Sequence, residues 1–326
     1  MIWEKIEGQP SAVEYLRRSL ARGRTAHAYL FVGPEGVGKS LCARLFAQAL
    51  SCRRQDGDGC GSCPSCRAFA QSAHPDFRSF SPRGVKGGIV IEQIREIDRL
   101  AWLAPQMDGW KAIVIDRAET MNDEAANAFL KTLEEPPPRT VFLLLTSRPD
   151  GIVATVRSRC QTVRFHPWAF SLMEPFLRER AGIGREEAWA LHCATGGLPG
   201  AALRMAEEKF TATRALVLRA LAAGRFDSAR ELMAEASAWL DDLEEKQRRR
   251  AAALEKQRPP GLDPQGIKDA EEKEEAYLAA EKRADFDRLL LIVLSWFRDL
   301  ELLGAGGQRV LVVNQDQLAA LESRAG

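Results

Sequence analysis

Eight residues near the amino terminus constrain the fold of this 326-residue chain more than any other feature. The segment Gly33-Pro-Glu-Gly-Val-Gly-Lys-Ser40 lies between an apolar run, Ala28 to Val32, and the helical pattern Leu41 to Leu50. A strand, a glycine-rich loop and a helix in this order form the usual setting of a phosphate-binding loop. A turn that only links strand to helix would not require Lys39 and Ser40. The sequence therefore predicts a nucleotide-binding α/β domain.

The predicted nucleotide site combines several kinds of group. Glycines let backbone N–H groups turn inward around the phosphates, and the following helix adds partial positive charge at its amino terminus. A lysine supplies a cation to the β- and γ-phosphates, and a serine offers its hydroxyl to magnesium. ATP or ADP with magnesium is therefore the expected ligand. The residues assigned to this site are Gly33, Gly36, Gly38, Lys39 and Ser40.

Short apolar runs alternate with helical periodicity from about residue 12 to residue 165, which is typical of a parallel sheet covered by helices. Ala28 to Val32, Lys111 to Ile115 and Thr140 to Leu145 are predicted to be buried central strands. Asp116 directly follows the second run, where a carboxylate can hold magnesium. Its alternative role is to cap the turn after the strand.

The residue after Asp116 is Arg117, which separates nucleotide binding from hydrolysis. A guanidinium stays protonated over the usable pH range and cannot act as a base. Glu119 is the alternative base, provided that it reaches the attacking water. We therefore expect weak or absent ATPase activity from the chain alone.

Four of the seven cysteines crowd into a glycine-rich loop after the phosphate-loop helix. Cys52, Cys60, Cys63 and Cys66 have the spacing C-x7-C-x2-C-x2-C. Four sulfurs suit tetrahedral zinc, and a closed four-cysteine shell leaves no position for substrate, so a structural zinc site is predicted within the insertion 52–66. Two disulfides or an iron-sulfur cluster are the alternatives.

Composition and charge exclude few classes of protein. The 46 Lys and Arg residues nearly balance the 45 Asp and Glu residues, so any contact with nucleic acid must come from local patches. No apolar run approaches the roughly 20 residues that cross a bilayer, and no leader pattern is visible at Met1. A cytoplasmic protein without membrane contact is expected.

The chain beyond residue 166 is predicted to be helical. His166-Pro167 interrupts the alternating pattern, and a shorter helical region follows up to about Glu208. Strong helix formers dominate afterwards, with a charged insertion at 241–283 and a broad apolar helix from Phe286 to Leu303. The predicted domains are an α/β domain at 1–166, a small helical domain at 167–209 and an all-helical domain at 210–326.

Four motifs in order along the chain resemble the bacterial DNA polymerase III clamp-loader ATPase family. They are the phosphate loop, the cysteine insertion, Asn127 to Pro137, and Ser158-Arg159-Cys160, and they span residues 1 to about 205. The resemblance implies a P-loop domain of the AAA+ class with a parallel sheet. It also implies a small helical lid domain and an all-α C-terminal collar domain that assembles with sister subunits.

The resemblance assigns roles to two further residues. In this family the arginine of the Ser-Arg-Cys motif reaches the γ-phosphate bound by a neighbouring subunit, so Arg159 is expected to be an arginine finger acting in trans. Outside such a motif, a surface arginine would simply be a solvated charge. Thr146 matches the position of the first sensor residue, which contacts nucleotide. Its alternative role is a hydrogen bond at the end of a strand.

Two departures from the family pattern bear on which subunit type this is. The gamma and tau motor subunits carry an Asp-Glu pair and a sensing arginine in the second domain, where this chain has Arg117 and Gly200. These departures favour a non-motor subunit of the DNA polymerase III holoenzyme. Its implied partners are the motor (gamma/tau) and delta subunits, the sliding clamp and primed DNA. The alternatives are an active gamma/tau-type ATPase and a nucleotide-regulated AAA+ binding module outside replication.

Overall fold

The chain divides into two compact units in a computed structural model. The first unit comprises Met1–Leu172 and Leu198–Gly200, and the second comprises Met173–Gly197 and Ala201–Gly326. The structure describes residues 2–54, 57–82, 87–107, 109–207, 210–223, 245, 248–249 and 290–325. Most of the predicted insertion 241–283 therefore lies outside the described residues. The division into three domains stays a prediction.

Five parallel strands form the sheet of the first unit. The strands are β1 (Ala28–Val32), β2 (Phe77–Phe80), β3 (Lys111–Ile115), β4 (Thr140–Thr146) and β5 (Gln161–Arg164). Their order across the sheet is β2-β3-β4-β1-β5. Every residue of β1, β3 and β4 is buried, which confirms the three central strands expected from the apolar runs. The two edge strands include exposed residues because each has only one neighbour.

Each central strand contributes to two hydrophobic cores. Successive side chains of a strand point to opposite faces of the sheet. In β1, Tyr29 and Phe31 accordingly belong to one core, whereas Leu30 and Val32 belong to the other. A strand that is buried on both faces favours apolar residues along most of its length, which explains the long apolar runs in the sequence.

Helices cover both faces of this sheet. They are α1 (Pro10–Ala21), α2 (Lys39–Leu50), α3 (Pro64–Ala70), α4 (Ile91–Trp102), α5 (Asp123–Glu134) and α6 (Ala154–Arg157). The first three helices pack into the core that contains Phe31, and the last three pack into the core that contains Leu30. The helix α5 begins where the Asn122 side chain accepts a hydrogen bond from the backbone N–H of Ala125.

The carboxyl ends of the parallel strands lie at one edge of the sheet. The phosphate loop follows β1, Asp116 follows β3, and Thr146 is the last residue of β4. The strands β1 and β4 are neighbours in which Val32 pairs with Thr146. The strand register therefore brings three separated parts of the sequence to the same edge.

The rest of the described chain is helical. Its helices are α7 (Phe170–Ala181), α8 (Arg185–Thr195), α9 (Pro199–Glu207), α10 (Phe210–Ala223), a helix at 290–304 and the C-terminal helix Leu318–Ala325. A parallel-sheet α/β domain of the AAA+ class followed by helical regions is the fold class expected from the sequence, and it is confirmed. No helix among the described residues has both the length and the apolar composition needed to span a bilayer.

A buried polar network fixes the end of the second unit. The carboxylate of Asp299, which is fully buried, accepts hydrogen bonds from the backbone N–H groups of Val313 and Asn314. The Asn314 side chain in turn accepts a hydrogen bond from Arg214, which also forms an ion pair with Asp316 at 2.6 Å. These bonds tie α10, the helix 290–304 and the C-terminal segment together.

Candidate functional site

The phosphate loop has the backbone conformation that its glycines allow. Gly36 and Gly38 have φ angles of 82° and 105°, a region that residues with a Cβ rarely adopt. Gly38 also precedes α2 without a side-chain cap, so the first N–H groups of the helix have no partner within the helix. Ser40 lies exposed in the first turn of α2. This loop and helix terminus together form an anion-binding arrangement.

Lys39 is the buried cation of the loop. Its residue is 8% exposed, and its Nζ donates hydrogen bonds to the carbonyl oxygens of Gly33 at 2.6 Å and Pro34 at 2.8 Å. Burial lowers the pKa of Lys39, while the nearby carboxylates of Asp116 and Glu119 act in the opposite direction. The lysine is therefore held inside its own loop with acidic groups close by.

Asp116 and Thr146 lie at the same edge of the sheet as the phosphate loop. The backbone N–H of Asp116 donates to the carbonyl of Phe80 at 2.8 Å, which continues the β2–β3 ladder by one residue. The carbonyl of Thr146 accepts from the N–H of Gly33 at 3.1 Å, and its hydroxyl accepts from the N–H of Arg148 at 3.0 Å. We refer to the loop 33–40, Asp116, Glu119 and Thr146 together as the nucleotide edge.

Arg117 adopts a left-handed backbone conformation with φ 49° and ψ 49°, and its side chain is exposed. This conformation is uncommon for a residue that carries a Cβ. Position 117 therefore holds an exposed cation, which cannot act as the base of a hydrolase.

Glu119 is brought close to the nucleotide edge. Its Oε1 accepts hydrogen bonds from the Ser147 hydroxyl at 2.9 Å and from the Ser147 backbone N–H at 3.4 Å. Burial raises the pKa of Glu119, but hydrogen bonds from its own backbone, Thr146 and Ser147 outweigh burial and lower it. The spacing in the sequence makes Glu119 only a candidate base; the fold adds that the backbone and the hydroxyl of Ser147 both donate to its Oε1.

Gly200 touches the phosphate loop. Its backbone N–H donates to the carbonyl oxygen of Gly36 at 3.0 Å. A Cβ added at Gly200 would lie 3.0 Å from that same oxygen, which is closer than nearly all real contacts of this kind. A side chain at this position would therefore require the phosphate loop to shift by a few tenths of an ångström.

Gln9 is a contributor that the sequence analysis missed. Its Nε2 donates to the carbonyl of His166 at 2.7 Å, and its Oε1 accepts from the N–H of His166 at 3.0 Å. The same Nε2 lies 3.5 Å from the carbonyl of Val37 in the phosphate loop. This side chain links the loop to the segment after β5. A glutamine just before a helix carries no pattern that would have predicted these contacts.

The four clustered cysteines converge in space. The Sγ atoms of Cys52, Cys60, Cys63 and Cys66 all lie within 4.8 Å of one another. The Sγ atoms of Cys60 and Cys66 are 4.0 Å apart, near the roughly 3.8 Å expected of two sulfurs that each lie about 2.3 Å from one tetrahedral zinc. A disulfide would need roughly 2.05 Å. The donor set therefore fits a metal ion such as zinc.

Hydrogen bonds to sulfur support this arrangement. Backbone N–H groups of Cys60, Cys63 and Cys66 donate to the Sγ atoms of Cys52, Cys60 and Cys63 at 3.3, 3.3 and 3.4 Å. Hydrogen bonds from the hydroxyl and backbone of Ser62 lower the pKa of Cys60 to about 5, whereas burial raises that of Cys66 to about 12. Such bonds orient sulfur ligands around a metal.

The Ser-Arg-Cys motif lies at the end of α6. The Ser158 hydroxyl donates to the carbonyl of Thr155 at 3.1 Å. Cys160 packs against the core that contains Leu30, and burial raises its pKa to about 12. The residues on either side of Arg159 are thus fixed to the protein, and Arg159 between them is directed to the surface.

Arg159 is held by two acceptors of its own chain. Its Nη1 donates to the carbonyl of Thr155 at 2.9 Å, and its Nη2 lies 2.5 Å from Oε1 of Glu134, the last residue of α5. The side chain of Arg159 remains 35% exposed. The sequence motif gave no indication that Glu134 contacts Arg159.

Comparison with known proteins agrees with these features. A family model described as DNA polymerase III, delta subunit, matches residues 8–169. The delta' subunit of Pseudomonas aeruginosa is 35% identical over 199 residues, covering 60% of this chain and 61% of that protein. The tau subunit of Bacillus subtilis is 34% identical over 164 residues, covering 50% of this chain and 29% of that protein. A gamma subunit-related protein of Thermotoga maritima superposes with a TM-score of 0.41 at 16% identity, covering 97% of this chain and 100% of that chain, too distantly to support an argument.

The sheet, the phosphate loop and Asp116 define a P-loop protein of the AAA+ class. The family model and relatives named delta' subunits, at 30% to 38% identity, support a delta'-type subunit of the bacterial DNA polymerase III clamp loader. The chain spans 61% to 63% of the length of the delta' relatives from Pseudomonas aeruginosa and Escherichia coli. These matches argue against the alternative of a binding module outside replication.

Proposed function

We propose that the chain is a non-motor subunit of the replicative clamp loader. It binds nucleotide with little or no hydrolysis and supplies Arg159 in trans to a neighbouring motor ATPase, for loading the sliding clamp onto primed DNA. The observation that carries this proposal is the guanidinium of Arg159, on a side chain that is 35% exposed and that donates to Thr155 and Glu134 rather than to groups of the nucleotide edge. A cation placed in this way is available to phosphate held by another subunit.

The nucleotide edge supports binding without turnover. It has the lysine, the glycines and the helix terminus that phosphate requires, and Asp116 would hold magnesium. Arg117 cannot serve as a base, and its side chain is exposed. Gly200 stands where the family resemblance places an arginine that senses the γ-phosphate, and a side chain there would crowd the carbonyl oxygen of Gly36. Both positions at which motor subunits differ are therefore unsuited to hydrolysis.

An apolar face in the second unit supports assembly with motor and delta subunits. On the helix 290–304, Leu290, Leu294 and Phe297 are 44%, 62% and 56% exposed, whereas Ile292 and Trp296 on the other face are buried. An exposed apolar stripe of this kind commonly marks a protein interface. It fits the collar role that the family resemblance assigns to this region.

The cysteine loop is assigned a structural zinc ion. Its four thiolates would complete a tetrahedral shell and leave no open position for substrate. The loop is also tied to the domain, because the indole Nε1 of Trp3 donates to the carbonyl of Gly57 at 2.8 Å and Arg17 pairs with Asp58 at 3.1 Å. The metal would stabilise this loop and take no part in chemistry.

A second candidate function is an active ATPase of the gamma/tau type. It is favoured by the position of Glu119, a carboxylate that lies near Lys39 and receives hydrogen bonds from the residue after Thr146. Turnover by the purified chain, lost in both Lys39→Ala and Glu119→Gln, would establish this function. Negligible turnover together with measurable nucleotide binding supports the non-motor role.

The proposal is tested by DNA-stimulated ATPase of a clamp loader reconstituted with the motor and delta subunits of the same organism. Arginine fingers contribute roughly a thousandfold or more to turnover, so Arg159→Ala should lower the turnover of the adjoining site by about that factor. Arg159→Lys should recover only part of the loss, because a lysine cannot donate two parallel hydrogen bonds.

Arg157→Ala is the matched control. Arg157 lies two residues earlier, outside the Ser-Arg-Cys motif, and its guanidinium is likewise held by a carbonyl, that of Pro149 at 3.2 Å, and by a carboxylate, that of Asp150 at 3.6 Å. Its removal should leave turnover unchanged. Equal turnover of the Arg159→Ala and wild-type assemblies, at equal subunit stoichiometry, would rule out the finger role.

A further inference from the structure

The ion pair between Arg159 and Glu134 fixes the direction of the side chain that would act in trans. We propose that Glu134 is a positioning residue for Arg159, which it holds in the outward orientation that reaches a neighbouring phosphate. This inference rests on the proposed finger role of Arg159. It concerns a residue two positions before the prolines that follow α5, not a residue of the Ser-Arg-Cys motif.

Glu134 is well placed to hold another side chain because its own position is fixed. The helix α5 is anchored in a hydrophobic core by Phe129 and Leu133, both of which are 0% to 2% exposed. It ends at Glu134, and Pro136 to Pro138 follow after one residue. Proline cannot continue a helix and restricts the residue before it, so the chain leaves α5 in a defined direction.

The ion pair still leaves Arg159 able to bind phosphate. A guanidinium carries five N–H donors, and the contacts with Thr155 and Glu134 use one hydrogen on Nη1 and one on Nη2. Three donors therefore remain on a side chain that is 35% exposed. Glu134 and a phosphate oxygen can thus be bound at the same time, which distinguishes a positioning contact from one that must break before the finger acts.

A flexible arginine loses rotamer freedom when it is placed, and this loss opposes formation of the active geometry. Two acceptors from different elements, the carbonyl of Thr155 in α6 and the carboxylate of Glu134 at the end of α5, restrict the guanidinium before a neighbour arrives. The bound geometry is then reached at a smaller entropic cost. Removing one acceptor should slow the chemical step and leave substrate affinity nearly unchanged.

The test is a double-mutant cycle in the reconstituted clamp loader, with DNA-stimulated turnover and KM for ATP measured separately. Glu134→Ala should lower kcat about fivefold, the size expected from one exposed ion pair, with KM unchanged. Glu134→Gln keeps an acceptor and should recover part of the loss. In an Arg159→Ala background, Glu134→Ala should have no further effect, because Glu134 acts only through Arg159.

Glu135→Ala is the matched control, since Glu135 is the exposed neighbour of Glu134 and should leave kcat unchanged. Full turnover with Glu134→Ala, or higher turnover, would overturn the inference while Arg159→Ala still shows the finger. An equal loss from Glu134→Ala with and without Arg159 would also overturn it. If Arg159→Ala itself has no effect, the proposed function fails, and that result is distinguishable from the others.

Discussion

Two cations of the same α/β unit are held in opposite ways. Lys39 is 8% exposed and is bonded to two carbonyls of its own loop, whereas the side chain of Arg159 is 35% exposed and is bonded at the surface. Lys39 is enclosed by the nucleotide edge, and Arg159 lies on the short segment between α6 and β5. The difference is consistent with the proposed roles, in which Lys39 binds a ligand of this chain and Arg159 reaches a ligand of another chain.

The residue types match these two settings. A lysine is a compact point charge on a flexible stem, which suits a loop that must close around phosphate. An arginine presents several donors in a rigid plane, so it can keep its contacts with Glu134 and Thr155 and still offer donors outward. The carboxylates near Lys39 are part of its own site, while the carboxylate near Arg159 comes from a different helix.

The largest expected difference between these two cations is in the binding of ATP by the purified chain. Lys39→Ala should weaken the binding of ATP by the purified chain roughly 10- to 100-fold, because a charge-assisted hydrogen bond to phosphate is worth about 1.5–3 kcal/mol. Arg159→Ala should leave that affinity unchanged and act only in the assembly. The measurement is titration of a fluorescent ATP analogue into each purified variant.

Lys131→Ala is a suitable charge control for this titration, because Lys131 lies exposed on α5. Equal weakening by Lys39→Ala and Lys131→Ala would show a general charge effect instead of a specific contact. A loss of affinity in Arg159→Ala would contradict the division of labour between the two cations. Thermal melts of all variants would separate these results from unfolding.

Loss of the metal should lower the stability of the protein strongly. The size of this effect should not depend on Lys39 or Arg159. Cys66→Ser removes one of four ligands of the cysteine loop and should reduce bound zinc from about one equivalent to a small fraction. Because metal binding contributes to folding free energy, the variant should lose several kcal/mol of stability. Elemental analysis and thermal melts give the two readouts.

Cys193→Ser is the control, since Cys193 lies in α8 outside the cysteine loop. It should keep its zinc content and most of its stability. If Cys66→Ser retained stoichiometric zinc, the four-cysteine site would be wrong. If it also lost nucleotide affinity as strongly as Lys39→Ala, the loop would be part of the nucleotide edge after all.

The central strands and the nucleotide loop could be predicted from the sequence alone, and the reason is physical. Strands buried on both faces are apolar along most of their length, and a phosphate loop needs glycine where φ is positive, as at Gly36 and Gly38. Such requirements leave a local pattern. The close grouping of the four cysteines was likewise visible in their spacing, because a tight turn between them leaves little freedom.

Contacts between distant segments were not predictable in this way. Glu134 meets Arg159 across 25 residues, and Gln9 meets His166 across 157 residues, because the fold brings these segments together. An exposed glutamate at the end of a helix and a glutamine before one look like ordinary surface residues. The sheet order and register have to be known before either side chain acquires a partner.

The smallest effect concerns Gly200, which lies beside the nucleotide edge but has no side chain to contribute. In Gly200→Ala the new Cβ would meet the carbonyl oxygen of Gly36 at 3.0 Å, so the phosphate loop must shift slightly. Crowding of this size costs about 1 kcal/mol, which corresponds to roughly fivefold weaker nucleotide binding. The finger function of Arg159 in the assembly should be unaffected.

Gly184→Ala is the matched control, because a Cβ at Gly184 meets no heavy atom within 4 Å and its φ of −76° suits any residue. It should leave nucleotide affinity unchanged in the same titration. Unchanged affinity in Gly200→Ala would show that the loop can give way, and an arginine at this position would then be tolerated. In that case the identity of residue 200, and not a lack of space around it, would explain why no sensing arginine is present. The nucleotide edge would then resemble that of a motor subunit more than the close contact between Gly200 and Gly36 suggests.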